Sequence, residues 1–344
     1  MSVPDGSLLP VKARTPGALP LVSVIAPVYN EGRVVGELFQ RIVKAAASLS
    51  DRYRFEFVFV DDGSRDDSLA VCRALTVGEP RLRVVELRRN YGQTAALQAG
   101  LDAADGDVLI TMDADLQHFP EEIPQFLEKI EAGFDLVCGW RANRQEGLKR
   151  RFPSKVANYI LRRISKLTIN DIGTTYRAYR REIMQDVRLL GENHRFVPIF
   201  ASVAGARIAE IPIQNIERPV GQANYGLERT LNVFIDMVFL YFFVRFMDRP
   251  IRVFGRVALL CFGLGLSISA GLLFVWARTG GPVVREHSGW FLLAALFMLA
   301  GLQSLMTGIV SEMLARIYYP SREHAPYKVR TTWTANGPLS PGSP

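Results

Sequence analysis

Several common signatures are missing from this 344-residue sequence. Its three cysteines lie far apart, which excludes a disulfide scaffold and a CxxC metal clip and is typical of reduced thiols. There is no GxxxxGK(S/T) loop of an ATPase, no GxGxxG after a strand, no His/Cys cluster for zinc and no sign of a Ser-His-Asp hydrolase. With 49% apolar and 22% charged residues, the chain is neither disordered nor collagen-like.

Charge is absent from two long segments near the C-terminal end. Residues 257–277 and 288–311 contain no charged side chain, and a helix of about 20 residues crosses a hydrocarbon core about 30 Å thick. The length of both runs disfavours the alternative, two buried helices of a soluble core. We therefore predict a transmembrane hairpin over 255–315, with helices at about 255–277 and 289–311.

Basic residues flank this hairpin on both sides, whereas the short loop between the helices has few. The flanking cations are Arg245, Arg249, Arg252 and Arg256 before it, and Arg316, Arg322, Lys328 and Arg330 after it. The positive-inside rule then predicts a multi-pass protein of the cytoplasmic (inner) membrane, with the preceding domain and both termini cytoplasmic. Residues 1–20 have no apolar signal-peptide segment and are predicted to be a flexible tail, and 316–344 a cytoplasmic tail.

The aromatic-rich segment 233–247 is too short to span a membrane, because only eight uncharged residues separate Asp236 from Arg245. A helix lying in the membrane interface fits this composition. A core helix that docks the preceding domain on the hairpin is the alternative. We predict juxtamembrane interfacial helices over 227–254.

Short β-branched runs alternate with helical patterns in the first half of the chain. The predicted strands are 22–26, 55–60, 82–87, 107–112 and 135–139, and the helices between them are 31–48, 66–77, 93–103 and 121–131. This alternation predicts an α/β domain over 21–226, with a mostly parallel sheet and helices on both faces. Ligands of such sheets bind beyond the carboxyl ends of the strands.

Three of those carboxyl ends carry polar motifs: PVYNE at 27–31, DDGS at 61–64 and DADLQ at 113–117. Each motif alone has an ordinary explanation as a helix cap or a turn. Together at one sheet edge they indicate a nucleotide-diphosphate site. Two carboxylates one residue apart can hold a hard divalent cation that neutralises a departing diphosphate. The acidic pair after the second strand can accept hydrogen bonds from the base or the ribose.

These motifs resemble those of the family 2 glycosyltransferases with the GT-A (Rossmann-like) fold. Over about residues 20–315, the order of domain, interfacial helices and hairpin is similar to the polyprenyl-phosphate glycosyltransferases of that family. The resemblance implies inverting transfer of a sugar from a UDP- or GDP-linked donor to a polyprenyl (undecaprenyl or dolichyl) phosphate. The product would be a lipid-linked monosaccharide for cell-envelope or glycan modification.

The resemblance also implies roles for individual residues. The implied donor-binding residues are Pro27, Tyr29, Glu31, Asp61, Asp62 and Asp113; the implied ligands of Mg²⁺ or Mn²⁺ are Asp113, Asp115 and Gln117; the catalytic residues are Asp113, Asp115 and Arg218; and the acceptor-phosphate residues are Arg141, Arg150 and Ser154. The family's Ser-Lys pair after Arg218 is replaced here by Ala223-Asn224, so Arg218 is expected to carry more of the diphosphate charge.

Nine basic residues lie within 141–166, opposed only by Glu146. Such a run is often a solvated face or a nucleic-acid site. The apolar hairpin makes the lipid bilayer and a lipid phosphate the better partners, and we predict no nucleic acid. Asp171 is interpreted either as an N-cap or loop ligand or as an active-site residue, and His118 and His194 as structural.

Three rival functions follow from the same features. A processive polysaccharide synthase would need a QxxRW motif and more membrane helices, neither of which the sequence has. A non-catalytic nucleotide-sugar binder is disfavoured by the intact DxD motif, and a transporter by the presence of only two spans. The sugar (mannose, glucose, a uronic acid or an amino sugar) stays open, with UDP favoured over GDP. The polyprenol length and a possible homo-oligomer stay open as well.

Overall fold

The computed structural model describes residues 18–142, 169–187, 189, 193–216, 250–318 and 325–339. The chain divides into two compact units, one formed by Met1–Phe234 with Ala325–Pro344 and the other by Ile235–His324. The first unit contains the acidic motifs, and the second contains the long apolar segments.

A mixed sheet forms the centre of the first unit. Its described strands are β1 (Leu21–Val28), β2 (Arg54–Asp61), β3 (Leu82–Leu87), β4 (Val108–Thr111), β5 (Leu136–Arg141), β6 (Arg177–Arg180), β7 (Ile208–Ile213), β8 (Val329–Thr334) and β9 (Gly337–Leu339). Their order across the sheet is β7-β5-β6-β4-β1-β2-β3-β8-β9. The central strands β4, β1, β2 and β3 are parallel, β6 inserts antiparallel between β4 and β5, and β8 adds antiparallel to β3. The predicted α/β fold class is confirmed.

Helices cover this sheet between the strands. They are α1 (Val35–Ala47), α2 (Ser68–Gly78), α3 (Gln93–Ala103), α4 (Ile123–Glu131), α5 (Arg181–Asp186) and α6 (Val197–Val203), with 3-10 turns at Pro120–Glu122 and Asn193–Phe196. In α1, apolar residues recur every three or four positions, so one face is buried. Phe39 on that face packs edge-on against Phe57 and Phe59 of β2, at 5.5 Å between ring centroids in each pair. This packing holds α1, the helix that follows β1, against β2.

The strands β8 and β9 form a hairpin that the sequence analysis did not predict, since residues 316–344 were set aside as a tail. Val84 of β3 pairs with Trp333, and Thr334 pairs with Gly337. The chain thus returns to the sheet after the apolar helices and covers the edge of β3, which would otherwise be an unpaired strand.

The second unit consists of α7 (Pro250–Thr279), the short α8 (Val283–Glu286) and α9 (Ser288–Tyr318). Both α7 and α9 are long and apolar enough to cross a membrane. Only 11% and 17%, respectively, of their most apolar 18-residue stretches is buried. They approach each other at glycines: a Cβ at Gly301 would lie 2.9 Å from Phe262, and one at Gly308 equally close to Phe254. The hydroxyl of Ser304 donates to the carbonyl of Phe254 at 2.9 Å. The predicted hairpin is present, and segment 233–247 lies outside the described residues.

Candidate active site at the carboxyl edge of the sheet

The register of the parallel strands brings the three polar motifs to one edge. Val28 at the end of β1 pairs with Asp61 at the end of β2, and Ile25 pairs with Thr111 at the end of β4. The loops that begin after these residues therefore leave the sheet side by side, as the sequence predicts.

The first two loops are tied together by their own polar groups. The Asn30 N–H donates to Ser64 Oγ at 3.1 Å, and the Arg65 N–H donates to Asn30 Oδ1 at 2.8 Å. The Glu31 N–H donates to the hydroxyl of Ser68 at 2.8 Å. Asn30 adopts a positive φ of 57°, a conformation that asparagine tolerates better than most residues. Asn30 and Ser64 are consequently structural, whereas Tyr29 is 40% exposed beside them.

Asp61 and Asp62 are both almost fully buried, at 1% and 3% exposure. The Asp62 carboxylate accepts the backbone N–H groups of Tyr91 and Gly92 at 2.7 and 2.9 Å. Asp61 Oδ2 accepts a longer bond from the Ser64 N–H, and its Oδ1 has no hydrogen-bond partner among the described residues. Burial is the main cause that raises the pKa of both carboxyls. Asp62 therefore orders a turn, whereas only one of the two Asp61 oxygens is satisfied by the described residues.

A close approach of two loops explains the glycine after this pair. Gly63 has a φ of 67°, and a Cβ there would lie 2.6 Å from backbone atoms of Arg89 and Asn90. A larger residue would push the loop after β2 away from the turn between β3 and α3. Since Asp62 bonds to the same turn, the two segments form one rigid wall of the site.

The DADLQ segment after β4 offers oxygen ligands to a cation. Asp113, Asp115 and Gln117 are each partly exposed, whereas Ala114 and Leu116 between them are buried. Gln93 Nε2 donates to Asp113 Oδ1 at 2.7 Å, and the Gln117 N–H donates to Asp115 Oδ1 at 3.2 Å. The sequence analysis did not find Gln93, whose position at the start of a helix carries no signal by itself.

These residues fit a divalent ion only if a ligand completes the coordination. Among the residues that the structure describes, no group of three or more His, Cys, Asp or Glu side chains could hold a metal ion. Two carboxylates and one amide are hard oxygen donors of the kind that Mg²⁺ and Mn²⁺ prefer. Diphosphate oxygens would supply the remaining positions, which suits an ion that arrives together with the substrate.

At the end of β5, Arg141 forms a bidentate ion pair with Asp171. Its Nε and Nη2 donate to the two carboxylate oxygens at 2.7 and 3.0 Å. Asp171 is held by Glu210 of β7, which accepts the Asp171 N–H at 2.8 Å and also the backbone and side-chain amides of Asn170. The geometry adds a third interpretation of Asp171 to those two, in which its carboxylate orients Arg141.

Two histidines and one arginine near the site are buried. Burial is the main cause that lowers the pKa of His118 and that lowers the pKa of His194 to about 4. The His118 ring packs on Tyr176, and His194 shares a 2.6 Å hydrogen bond with Thr94. Arg177, which sequence reasoning missed, is fully buried and donates to the carbonyls of Ile172, His194 and Arg195. A cation in the run YRAYR resembles a surface charge, so no pattern marks it.

Three expected site residues are not part of this geometry. Arg150, Ser154 and Arg218, together with the Ala223-Asn224 pair, lie outside the described residues. Their roles stay predictions from the resemblance.

Comparison with known proteins decides the family. The family model described as glycosyl transferase family 2 matches residues 23–188. The dodecaprenyl-phosphate galacturonate synthase of Rhizobium johnstonii is 38% identical over 317 residues, which cover 90% of this chain and 92% of that protein. This chain belongs to glycosyl transferase family 2. The undecaprenyl-phosphate 4-deoxy-4-formamido-L-arabinose transferase of Klebsiella pneumoniae is 37% identical, with 90% and 92% coverage.

The resemblance to polyprenyl-phosphate glycosyltransferases is thereby confirmed, and this family 2 member is a glycosyltransferase. Among solved structures, glucosyl-3-phosphoglycerate synthase from Mycobacterium tuberculosis with Mn²⁺ and UDP-glucose is 18% identical, with a TM-score of 0.49. The structural match covers 70% of this chain and 84% of the synthase chain. The sequence relatives, rather than this distant likeness, carry the assignment.

Proposed function

We propose that this glycosyltransferase transfers one sugar from a nucleotide sugar to a polyprenyl phosphate and inverts the anomeric configuration. The observation that carries the proposal is the set of curated relatives named for polyprenyl-phosphate substrates, since they match 90% or more of the chain. The product is a lipid-linked monosaccharide.

The donor lies along the edge formed by β1, β2 and β4. The unsatisfied Oδ1 of Asp61 accepts a hydrogen bond from the base or ribose, because a buried oxygen without a partner is costly. Asp113, Asp115 and Gln117 hold Mg²⁺ or Mn²⁺ with the diphosphate. When bound, the ion supplies positive charge that offsets the charge on the departing nucleoside diphosphate. Arg218 is proposed to meet the same charge, and the nucleotide is UDP or GDP.

The acceptor phosphate binds at Arg141, with Arg150 and Ser154 as further proposed contacts. Asp171 fixes the guanidinium of Arg141 in one plane, and an oriented guanidinium is the group that best matches the oxygens of a phosphate. A phosphate monoester is already anionic at neutral pH, so its oxygen attacks without a general base and needs only correct placement. The role of Asp171 as an orienting group agrees with this chemistry.

The two apolar helices anchor the enzyme in the inner membrane, with the sheet domain and both termini on the cytoplasmic side. This orientation rests on the basic residues that flank the hairpin. It places the active site where nucleotide sugars are made. A homo-oligomer is part of the proposal, and light scattering of the enzyme in nanodiscs tests it.

A donor screen tests the function. The purified full chain in nanodiscs is given undecaprenyl phosphate and, one at a time, UDP-galacturonate, UDP-4-deoxy-4-formamido-L-arabinose, UDP-glucose and GDP-mannose. Mass spectrometry of the lipid fraction should find the acceptor plus a single sugar with one donor. Free polyprenol serves as the matched acceptor without phosphate. Transfer to the free alcohol, or a polymeric product, would overturn the proposal.

A further inference from the structure

The C-terminal hairpin contacts β3 through side chains as well as backbone. Glu86 of β3 is buried at 3% exposure and accepts hydrogen bonds from three donors. Arg73 Nη2 lies at 2.7 Å, Trp333 Nε1 at 3.0 Å and Arg330 Nη1 at 3.1 Å. The Arg73 guanidinium also stacks over the Trp333 ring at 3.6 Å. Two of the three donors to this buried carboxylate therefore come from β8.

Glu86 depends on those donors for its charge. Burial would raise the pKa of its carboxyl, but the hydrogen bonds from Trp333, Arg73 and Arg330 and the charge of Arg73 hold the pKa below the ordinary value. Removing a donor from a buried carboxylate leaves a charge without compensation, which is strongly destabilising locally. Arg330 and Trp333 therefore stabilise the position of β3 at Glu86.

Glu86 is also next to the donor site. It pairs in register with Asp61 of β2, and its negative charge is one of the causes that raise the pKa of Asp61. The strand pairing between β3 and β8 shifts register directly after Glu86. The Arg88 N–H then donates to the Lys328 carbonyl at 3.0 Å, and Arg330 Nη2 donates to the Arg88 carbonyl at 3.0 Å.

Arg88 is the first residue of the β3–α3 turn, which we define as residues 88–93. This turn contacts both acidic motifs: the N–H groups of Tyr91 and Gly92 bind Asp62, and the amide of Gln93 binds Asp113. The hairpin holds the first residue of the turn, and the last three residues hold the carboxylates. Because Tyr91, Gly92 and Gln93 follow Arg88 closely in the chain, a displacement at Arg88 would be passed through the turn to Asp62 and Asp113.

We propose that the C-terminal hairpin is a positioning element of the donor site, in which Arg330 and Trp333 act through Glu86 and the β3–α3 turn to fix Asp62 and Asp113. The inference rests on the proposed function, because it assigns Asp113 to the donor diphosphate and its ion. It makes a segment more than two hundred residues from the acidic motifs in sequence necessary for tight donor binding.

Matched hairpin variants test this role. Arg330→Ala removes the bonds to Glu86 and Arg88, Trp333→Phe keeps a ring over which Arg73 can stack but removes the Nε1–H, and Arg330→Lys restores the charge alone. Lys328→Ala is the control, because it removes one cation from the same segment at an exposed side chain. Calorimetry measures the affinity of each full-length variant for UDP and for GDP in the presence of Mn²⁺, and thermal unfolding is measured in parallel.

We expect Arg330→Ala to weaken nucleotide binding by about tenfold, Trp333→Phe by about threefold and Lys328→Ala by less than about twofold. Arg330→Lys should recover part of the loss. In turnover, the KM for the donor should rise while the KM for undecaprenyl phosphate stays constant. A merely structural hairpin would instead lower the active fraction and leave both KM values unchanged.

Two outcomes would overturn the inference: unchanged nucleotide affinity in both Arg330→Ala and Trp333→Phe, or an equal loss in Lys328→Ala. If Arg330→Ala does not fold, Trp333→Phe alone decides between these results. The proposed function fails separately, when the wild type binds nucleotide but forms no lipid-linked sugar. A wild type that binds neither nucleotide contradicts both.

Discussion

The acidic pair after β2 and the acidic pair after β4 have the same side chains and opposite surroundings. Asp61 and Asp62 are buried, and Asp62 satisfies the backbone amides of a neighbouring turn. Asp113 and Asp115 are partly exposed at the same sheet edge. We infer two tasks from this difference: the buried Asp62 orders a loop of the site, whereas the partly exposed Asp113 and Asp115 are proposed to meet an ion and a substrate.

The largest effect should come from the exposed pair. We expect Asp115→Ala to lower kcat by at least ~10²-fold, because charge on the leaving diphosphate is no longer offset. The unfolding temperature should stay near that of the wild type. Turnover with Mn²⁺ and thermal unfolding of the full chain measure both. Asp51→Ala, at an exposed carboxylate before β2, is the control, and near-normal activity of Asp115→Ala in EDTA would refute the metal assignment.

Within the buried pair, Asp62 should behave in the reverse way. Asp62→Ala leaves the N–H groups of Tyr91 and Gly92 without their acceptor, so we expect the free energy of unfolding to fall by about 2 kcal/mol. Chemical denaturation followed by the fluorescence of the sheet domain measures the loss. Asp62→Asn, which keeps one acceptor oxygen, should lose about half as much. Equal stability of Asp62→Ala and Asp115→Ala would remove the distinction between the two pairs.

Much of this contrast could be predicted from the sequence, and part of it could not. Strand–helix alternation and the position of three motifs at strand ends predicted the sheet and its acidic edge. Burial could not be predicted, because the letters DD and DAD do not say which carboxylate faces the core. Contacts between distant segments were equally hidden: Arg330 and Trp333 reach Glu86 only through a strand pairing for which the tail sequence has no clear pattern.

A smaller effect separates the two members of the buried pair. Burial raises the pKa of Asp61, and no described residue satisfies its Oδ1. The folded state binds this proton more tightly than the unfolded state, so stability falls as the pH rises above the ordinary aspartate pKa. Asp61→Asn removes the buried charge and should stabilise the fold by about 1 kcal/mol near neutral pH while donor binding weakens.

The pH dependence checks this assignment. The gain in unfolding temperature of Asp61→Asn over the wild type should be small near about pH 4 and increase toward about pH 7. Nucleotide affinity, measured by calorimetry with Mn²⁺, should fall over the same range for the variant relative to the wild type. A stability difference that does not change with pH would mean that the Asp61 carboxyl titrates normally.

The smallest effect extends the comparison to the proposed acceptor side, where the buried carboxylate of Asp171 orients Arg141. Glu210 accepts the N–H groups of Asn170 and Asp171, and Asp171 in turn orients Arg141. Glu210→Gln keeps one acceptor oxygen but loses the charge, so Asp171 is held less firmly. We expect the KM for undecaprenyl phosphate to rise about threefold, with the donor KM and kcat nearly unchanged, because binding of the acceptor phosphate is weakened equally in the ground and transition states. Arg141→Lys, which cannot form the bidentate pair, should raise the same KM further. A rise in the donor KM instead would place Arg141 on the nucleotide side of the edge and reverse the division between donor and acceptor residues.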